Sequence, residues 1–222
     1  MNILIGCEES QEITFAFRCL GFNAFSCDVV DCSGGFPEWH IKCNVLDIIN
    51  GHCFFYTSDS AAHYIKSWDL IIAHPPCTYL SKAGARWLYS NHCLNIDRYN
   101  KGLLAKDFFL KIYNCNCNHI CIENPTPLKI FDLPKEKQVI QPYFFGDHFS
   151  KRTLLWLKNL PLLFPTNIVD FVPFCPSNCS NFKAGKGGSY GVAATQKKRS
   201  KTFFGFANAL AAQWSKFILN NT

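Results

Sequence analysis

The sequence predicts an α/β domain built on a doubly wound, mostly parallel β-sheet. Short apolar runs that suit buried strands alternate along the chain with segments of helical periodicity. The chain has 222 residues, of which 48% are hydrophobic, so it can bury one sizeable core. We find no internal repeat, and we therefore expect a single sheet that is covered by helices on both faces.

The first predicted unit is a strand, a helix and a second strand. Residues 2–6 form the first strand, Ser10 caps the helix, and Gly21 ends it. The apolar face of this helix includes Ile13, Phe17 and Leu20. The second strand, 23–27, closes at Asp28. In such β-α-β units the first loop faces a bound nucleoside, and the acidic residue binds the ribose hydroxyls.

The middle of the chain continues this alternation. We expect a short third strand over 41–45, an irregular excursion or weak helix over 51–66, and a strand over 68–73. Helical periodicity over 103–113 then leads to a strand over 119–122.

The last predicted elements are two strands and a helix. Residues 139–142 and 153–157 are expected to be strands that can form a hairpin. Residues 203–219 are expected to be a closing helix with an apolar stripe that includes Trp214. The stretch 158–202 is rich in Pro, Gly, Ser and Lys and has the weakest pattern.

Composition also indicates the cellular compartment in which we expect the protein. The chain has no run of about eighteen apolar residues, so we expect no membrane span. Its start lacks a basic region and soon reaches Glu8 and Glu9, which argues against a signal peptide. The thirteen cysteines are odd in number and irregular in spacing, which favours reduced thiols in a cytoplasmic protein over a disulfide framework.

A structural zinc site is an alternative that the cysteines leave open, although we expect no metal. Cys175 and Cys179 have the spacing of a ligand pair, and tetrahedral zinc needs four nitrogen or sulfur ligands. Further ligands could come from Cys115, Cys117 and His119.

A cluster of basic residues near the C-terminus carries much of the net charge of +6. It lies in a glycine-rich stretch and includes Lys183, Lys186, Lys197, Lys198 and Arg199. A flexible basic loop of this kind can neutralise nucleic-acid phosphates, and the alternative is a solvated surface loop.

Two short segments, 73–81 and 122–125, carry the chemistry. Each follows an apolar run that suits a buried strand, and they contribute Cys77 and Glu123. A thiol and a carboxyl group would thus lie at the C-terminal ends of two strands, where open α/β sheets bind their ligands. This pair suits nucleophilic attack on a ring whose nitrogen is protonated at the same time.

With these segments in place, the chain resembles the DNA cytosine-C5 methyltransferases, and in particular the short, phage-type members of that family. The similarity extends in order along nearly the whole chain. The matching segments are the first loop with Asp28, His74-Pro75-Pro76-Cys77, Glu123-Asn124-Pro125, Ser150-Lys151-Arg152 at the place of a Gln-x-Arg element, and Phe204-Gly205 through Asn208. His74 replaces a small residue and either lines the pocket or has a structural role.

The sequence departs from the family pattern in the first loop and beside the motifs. Cys7-Glu8-Glu9-Ser10-Gln11 stands where the family has a glycine-rich Phe-x-Gly-x-Gly pattern. Cys43-Asn44 stands where Gly-Asp is usual, and Thr78 stands where Gln usually follows the cysteine.

The resemblance implies methyl transfer from S-adenosylmethionine to carbon 5 of cytosine in DNA, on a Rossmann-like methyltransferase fold. In that mechanism Cys77 adds to carbon 6, and Glu123 donates a proton or hydrogen bond to ring nitrogen 3. Arg152 would favour the thiolate and contact the exocyclic oxygen, with Lys151 as a second candidate that also contacts nucleic acid. The residues implied for cofactor binding are Cys7, Glu8, Ser10, Asp28, Asn44, Pro75 and Asn208.

The resemblance also divides the chain. It implies a catalytic and cofactor-binding domain over 1–157, a reduced target-recognition region over 158–200, and a helix within 201–222 that returns to the catalytic domain. It further implies a phage- or prophage-encoded protein in the cytoplasm of the bacterial host. Duplex DNA, single-stranded DNA and RNA all remain alternatives for the substrate, and the oligomeric state is not predicted.

Three alternative functions remain beside this hypothesis. A catalytically degenerate protein could bind nucleic acid or counter restriction. A methyltransferase could act on another base atom, or it could act on a free nucleotide.

Overall fold

The computed structural model describes residues 1–90, 93–173 and 202–221. Its helices are α1 (Glu12–Cys19), α2 (Ile96–Tyr113) and α3 (Phe204–Leu219). Its strands are β1 (Asn2–Gly6), β2 (Asn23–Asp28), β3 (His40–Lys42), β4 (Cys53–Tyr56), β5 (Ala62–Ile65), β6 (Leu70–Ala73), β7 (Tyr89–Ser90), β8 (Cys93–Leu94), β9 (Ile120–Asn124), β10 (Gln138–Ile140), β11 (Phe149–Ser150), β12 (Thr153–Lys158) and β13 (Val172–Pro173).

One mixed sheet of seven strands organises the described part of the chain. Its order is β10-β12-β9-β6-β1-β2-β3. The five strands from β9 to β3 are parallel, whereas β12 runs antiparallel to both of its neighbours, β9 and β10. The predicted α/β class with a mostly parallel sheet is confirmed, and the arrangement is compatible with a Rossmann-like fold.

The order β3-β2-β1-β6-β9 creates a switch point between β1 and β6, because the chain builds outward from β1 first on one side and then on the other. Ligands of open α/β sheets bind at such a point, beyond the C-terminal ends of the strands. Gly6 is opposite Ala73, and Ala73 is opposite Ile122. The loops that follow β1, β6 and β9 therefore leave the same edge of the sheet side by side.

Helices cover both faces of the sheet, as the alternation of the sequence predicts. Ile3 and Ile5 of β1 belong to a buried cluster with Phe17 of α1 and Trp214 of α3. Leu4, which points to the opposite face, belongs to a second cluster that includes Phe109 and Ile112 of α2. In the described part of the chain, no helix combines the length and the apolar composition that crossing a membrane requires.

The prediction for residues 51–66 is wrong, because this segment forms an antiparallel hairpin of β4 and β5. Its inward side chains, Phe55 and Ile65, are buried, and the Phe55 ring meets the Phe25 ring edge-on at 5.3 Å. Its outward side chains include Phe54 and Tyr64, which are exposed aromatic residues rather than polar ones. The polar-apolar alternation that marks a half-buried strand is therefore missing from the sequence.

Among the predicted boundaries, the end of the third strand and the start of the long helix differ most from the structure. The third strand ends at Lys42, because Asn44 caps a 3-10 turn over Val45–Asp47 by accepting a hydrogen bond from Leu46 N at 3.1 Å. The long helix begins at Ile96, seven residues before the predicted start, where Asn95 accepts a hydrogen bond from Arg98 N at 3.0 Å.

Candidate active site

The loop after β6 holds Cys77 at the C-terminal edge of the sheet. His74 N donates to Gly6 O at 2.9 Å, which ties the start of the loop to the end of β1. Asn124 Nδ2 donates to Pro75 O at 3.2 Å, which ties the loop to the end of β9. Cys77 O accepts from Ser81 N at 2.9 Å and closes a tight turn. The two motifs of the sequence are thus joined by direct hydrogen bonds.

Glu123 is held by a histidine of the cysteine loop. His74 Nδ1 lies 3.0 Å from Glu123 Oε2, and the two side chains are only 14% and 17% exposed. Burial alone would raise the pKa of Glu123, but the hydrogen bonds from His74 and Thr153 and the charges of His74 and Lys151 lower it below its usual value. Glu123 is therefore ionised at neutral pH.

Opposing electrostatic effects also act on the pKa of the Cys77 thiol. Burial and the negative charge of Glu123 raise its pKa, whereas a hydrogen bond from Ser81 and the positive charge of Lys151 act in the opposite direction. The resulting pKa is above the usual value. The thiolate that nucleophilic attack requires must therefore be favoured by further positive charge or by loss of the proton to a base.

Lys151, rather than Arg152, is the cation that acts on this pair. The charge of Lys151 lowers the pKa of both Cys77 and Glu123. The exposed Arg152 instead donates from Nε to Thr126 Oγ1 at 3.4 Å. Of the two candidates, Lys151 is the one whose charge acts on both the thiol and the carboxylate.

The first loop uses its polar side chains to hold itself and α1. Glu8 is 3% exposed, and its carboxylate accepts from Ile13 N at 2.7 Å, Thr14 N at 3.3 Å and Thr14 Oγ1 at 2.7 Å. Because these amides belong to the first turn of α1, Glu8 is the N-terminal cap of this helix. The prediction that Ser10 caps the helix is wrong, since the helix begins after Gln11 and the cap comes from Glu8.

Two residues of this loop adopt the left-handed backbone conformation, although neither is a glycine. Cys7 and Gln11 have φ values of 59° and 60°, a conformation that favours glycine. The Gln11 side chain is buried and is fixed by two bonds to the backbone of Phe36, with its Nε2 donating to the carbonyl oxygen at 2.8 Å. Burial and the nearby Asp28 raise the pKa of Cys7 to about 12, so this thiol stays protonated.

The residues predicted to bind a nucleoside lie along the same edge, at the ends of β2 and β3. Asp28 is half-buried, and its Oδ1 accepts one bond from Val30 N at 3.3 Å. Within the described residues, no hydrogen bond engages Asp28 Oδ2. An available carboxylate at the tip of the second strand fits the ribose hydroxyls of an adenosyl group. Asn44 is exposed, but its oxygen is already used by the turn that it caps.

Of the remaining predicted residues, two are described by the structure and the others lie outside the described ranges. Ser10 is half-buried, and Asn208 is exposed on α3. The helix α3 begins one turn before Asn208, and in its first turn Gly205 N donates to Asp147 Oδ2 at 3.1 Å. The residues outside the described ranges are Lys183, Lys186, Lys197, Lys198, Arg199, Cys175 and Cys179.

The structure gives the candidate zinc ligands other partners. Cys117 Sγ donates to the backbone oxygen of Trp68 at 3.3 Å, and His119 Nδ1 donates to Asp69 O at 3.0 Å. Among the described residues, no group of three or more His, Cys, Asp or Glu side chains is arranged to hold a metal ion.

The site therefore combines a thiol, a carboxylate, an imidazole and an ammonium group beside the switch point of the sheet. The sequence alone does not distinguish a pocket-lining role of His74 from a structural one. Its position in the run of residues that leads to Cys77 is the one sequence feature that points to this site. No protein-family model and no curated protein matches this chain.

Proposed function

We propose that this protein transfers a methyl group from S-adenosylmethionine to carbon 5 of cytosine in a nucleic acid. One observation carries the proposal: Cys77 and Glu123 lie at the ends of neighbouring parallel strands beside the switch point, close enough for the charge of Glu123 to raise the pKa of the thiol. A nucleophile and a group that binds a protonated ring nitrogen are the two functions that this reaction needs. The methyltransferase form of the Rossmann-like fold is part of the proposal.

The chemistry begins with activation of the ring, because carbon 5 of cytosine is a poor nucleophile. The Cys77 thiolate forms a bond from Sγ to carbon 6, and ring nitrogen 3 takes up a proton from solvent. The electron pair then lies at carbon 5, which would bond to the methyl group; the electron pair of the broken carbon–sulfur bond would leave with S-adenosylhomocysteine. Loss of the carbon 5 proton to solvent and cleavage of the bond between carbon 6 and Cys77 Sγ restore the carbon 5–carbon 6 double bond and release Cys77, and nitrogen 3 returns its proton to solvent.

The other site residues support this sequence of steps electrostatically. Because Glu123 is ionised, it can accept a hydrogen bond from the proton on ring nitrogen 3. This hydrogen bond stabilises the protonated ring. His74 bonds to Glu123 Oε2 and so holds the carboxylate in place for the base. Lys151 favours the Cys77 thiolate.

The residues present fit an adenosyl cofactor at the end of β2. Asp28 would bind the ribose hydroxyls, and the backbone of the Cys7 loop and of Pro75 would line the rest of the site. S-adenosylmethionine, when bound, supplies the electrophilic methyl group. Glu8 contributes by holding α1 and the first loop, since its carboxylate is occupied by Ile13 and Thr14.

Methyl transfer with isotope-labelled S-adenosylmethionine tests the proposal. Purified protein is incubated with cytosine-containing single-stranded and duplex DNA, which is then digested to nucleosides and analysed by mass spectrometry. The proposal expects label in 5-methyldeoxycytidine, and it expects none with Cys77→Ser. The matched control is Cys19→Ser, because Cys19 is an exposed thiol at the end of α1. Label in another methylated nucleoside would show that a different atom is the target.

A catalytically inactive nucleic-acid-binding protein is the second candidate. The observation in its favour is that Glu8 and Asn44, two residues expected to bind the cofactor, use their oxygens for helix and turn capping. Calorimetric titration with S-adenosylmethionine discriminates between the two. Saturable binding that is weakened by Asp28→Ala supports the enzyme, and lack of binding supports the second candidate.

A further inference from the structure

A groove with aromatic and cationic walls lies next to the Cys77 loop. Its volume is about 380 Å³, and it lies between the segment after β6 and the start of α2. The residues that line it are Tyr79, Trp87, Asn95, Asp97, Arg98 and Lys101. Tyr79 is two residues from Cys77, and Arg98 Nη2 donates to Thr78 O at 2.9 Å. The groove wall is thus bound directly to the loop that carries the nucleophile.

The rings of this groove are accessible and stand beside positive charge. Trp87 is 58% exposed, and the Arg86 guanidinium lies 4.7 Å from the centre of its ring. Arg98 and Lys101 approach the Tyr79 ring to 5.1 Å and 5.9 Å. The groove is therefore lined by two cations, Arg98 and Lys101, and one carboxylate, that of Asp97, and Arg86 lies against the Trp87 ring. A concave surface with this balance attracts a ligand that has both flat rings and negative charges.

We propose that this groove binds the unpaired nucleotides next to the target cytosine, so that the substrate is a single strand or a locally opened strand. An unpaired base can expose its face to Trp87, whereas a base inside a duplex is covered on both faces by its neighbours. Arg98 and Lys101 are placed to contact the phosphates that link such bases. The inference rests on the proposed function, since it names the form of the substrate of the same site.

The inference is tested by binding, in the Cys77→Ser protein, so that no methylation takes part. Fluorescence anisotropy compares one labelled DNA strand with its duplex. We expect tighter binding of the single strand, and we expect Trp87→Ala to weaken it by about 5- to 150-fold, the loss that corresponds to one stacked base. Trp87→Phe should retain most of the affinity. The matched control is Phe54→Ala, because Phe54 is 80% exposed on β4 and does not line the groove.

The salt dependence supplies a second measurement that does not depend on stacking. Lys101→Gln should reduce the slope of log affinity against log salt by about one, while Phe54→Ala should leave it unchanged. Equal binding of duplex and single strand, or Trp87→Ala binding like the unsubstituted protein, would overturn the inference. These results are independent of the labelling experiment: methylation without groove binding refutes the groove alone, and groove binding without methylation refutes the proposed function alone.

Discussion

His74 Nδ1 and Glu123 Oε2 form a hydrogen bond of 3.0 Å that joins the ends of β6 and β9. The other ring nitrogen of His74, Nε2, is buried and has no hydrogen-bond partner among the described residues. Buried polar atoms without partners are uncommon in folded proteins and cost free energy. The pair is therefore held at some cost to the fold, which fits a role in binding or catalysis better than a role in stability.

The first prediction concerns this pair. His74→Ala removes the bond that orients Glu123, and we expect turnover to fall by about tenfold or more, the loss typical of a hydrogen bond to a charged group. His74→Asn should recover part of the rate, because its amide can also donate. The matched control is His119→Asn. His119 lies directly before β9 and donates to the backbone oxygen of Asp69, away from Glu123 at the other end of the strand.

A pH profile separates this positioning role from a general loss of structure. His74 lowers the pKa of Glu123, so its removal raises that pKa. The acid limb of the rate profile should then move to higher pH in His74→Ala and stay in place in His119→Asn. Equal pH profiles with equal rates would show that His74 does not act on Glu123.

The second prediction separates the two adjacent cations. Lys151→Met should raise the pKa of Cys77, because it removes a positive charge that favours the thiolate. Arg152→Gln should leave this pKa unchanged, since Arg152 contacts Thr126. Alkylation of the Cys77 peptide by iodoacetamide over a range of pH, followed by mass spectrometry, measures the shift. A larger shift in Arg152→Gln would reverse the assignment.

Adjacent residues of this kind show where sequence reasoning ends. Lys151 and Arg152 belong to one short motif, and only the backbone path between β11 and β12 decides which of the two charges acts on Cys77. The partnership of His74 with Glu123 spans 49 residues and depends on the pairing of β6 with β9. Local patterns carry no information about either relationship.

Other parts of the molecule could be predicted because they depend on local pattern. Buried strands such as Leu70–Ala73 are runs of apolar residues, and Gly21, with a φ of 81°, follows the end of α1 as expected for a C-terminal glycine. The cap of that helix could not be predicted, because Glu8 reaches it from outside the usual capping position. The groove could not be predicted either, because Tyr79 and Lys101 are far apart in the sequence and only the fold brings them together.

The third prediction concerns Glu8 as a structural residue. Its pKa is raised, chiefly by burial, so the folded protein binds a proton more tightly than the unfolded chain does. The stability contributed by this group is present below its unfolded pKa and is lost as the pH rises through the folded pKa. Glu8→Ala should lower the free energy of unfolding by about 1–2 kcal/mol, the effect of losing a helix cap.

Urea unfolding of the wild type and Glu8→Gln at several pH values measures this effect. Relative to Glu8→Gln, the wild type should become less stable as the pH rises above the ordinary range for a glutamate. The matched control is Glu9→Gln, the neighbouring glutamate of the same loop. An identical pH dependence in wild type and Glu8→Gln would contradict the raised pKa of the buried Glu8.

The central claim is that Cys77 attacks carbon 6 of cytosine, and covalent trapping tests it most directly. Wild-type protein and Cys77→Ser are incubated with S-adenosylmethionine and single-stranded or duplex DNA containing 5-fluorocytosine, then separated on a denaturing gel. After methyl transfer, fluorine at carbon 5 cannot leave as a proton does, so the adduct persists. We predict a stable protein–DNA band for the wild type alone. No band with either strand form, from protein that binds the cofactor and the DNA, would contradict the claim.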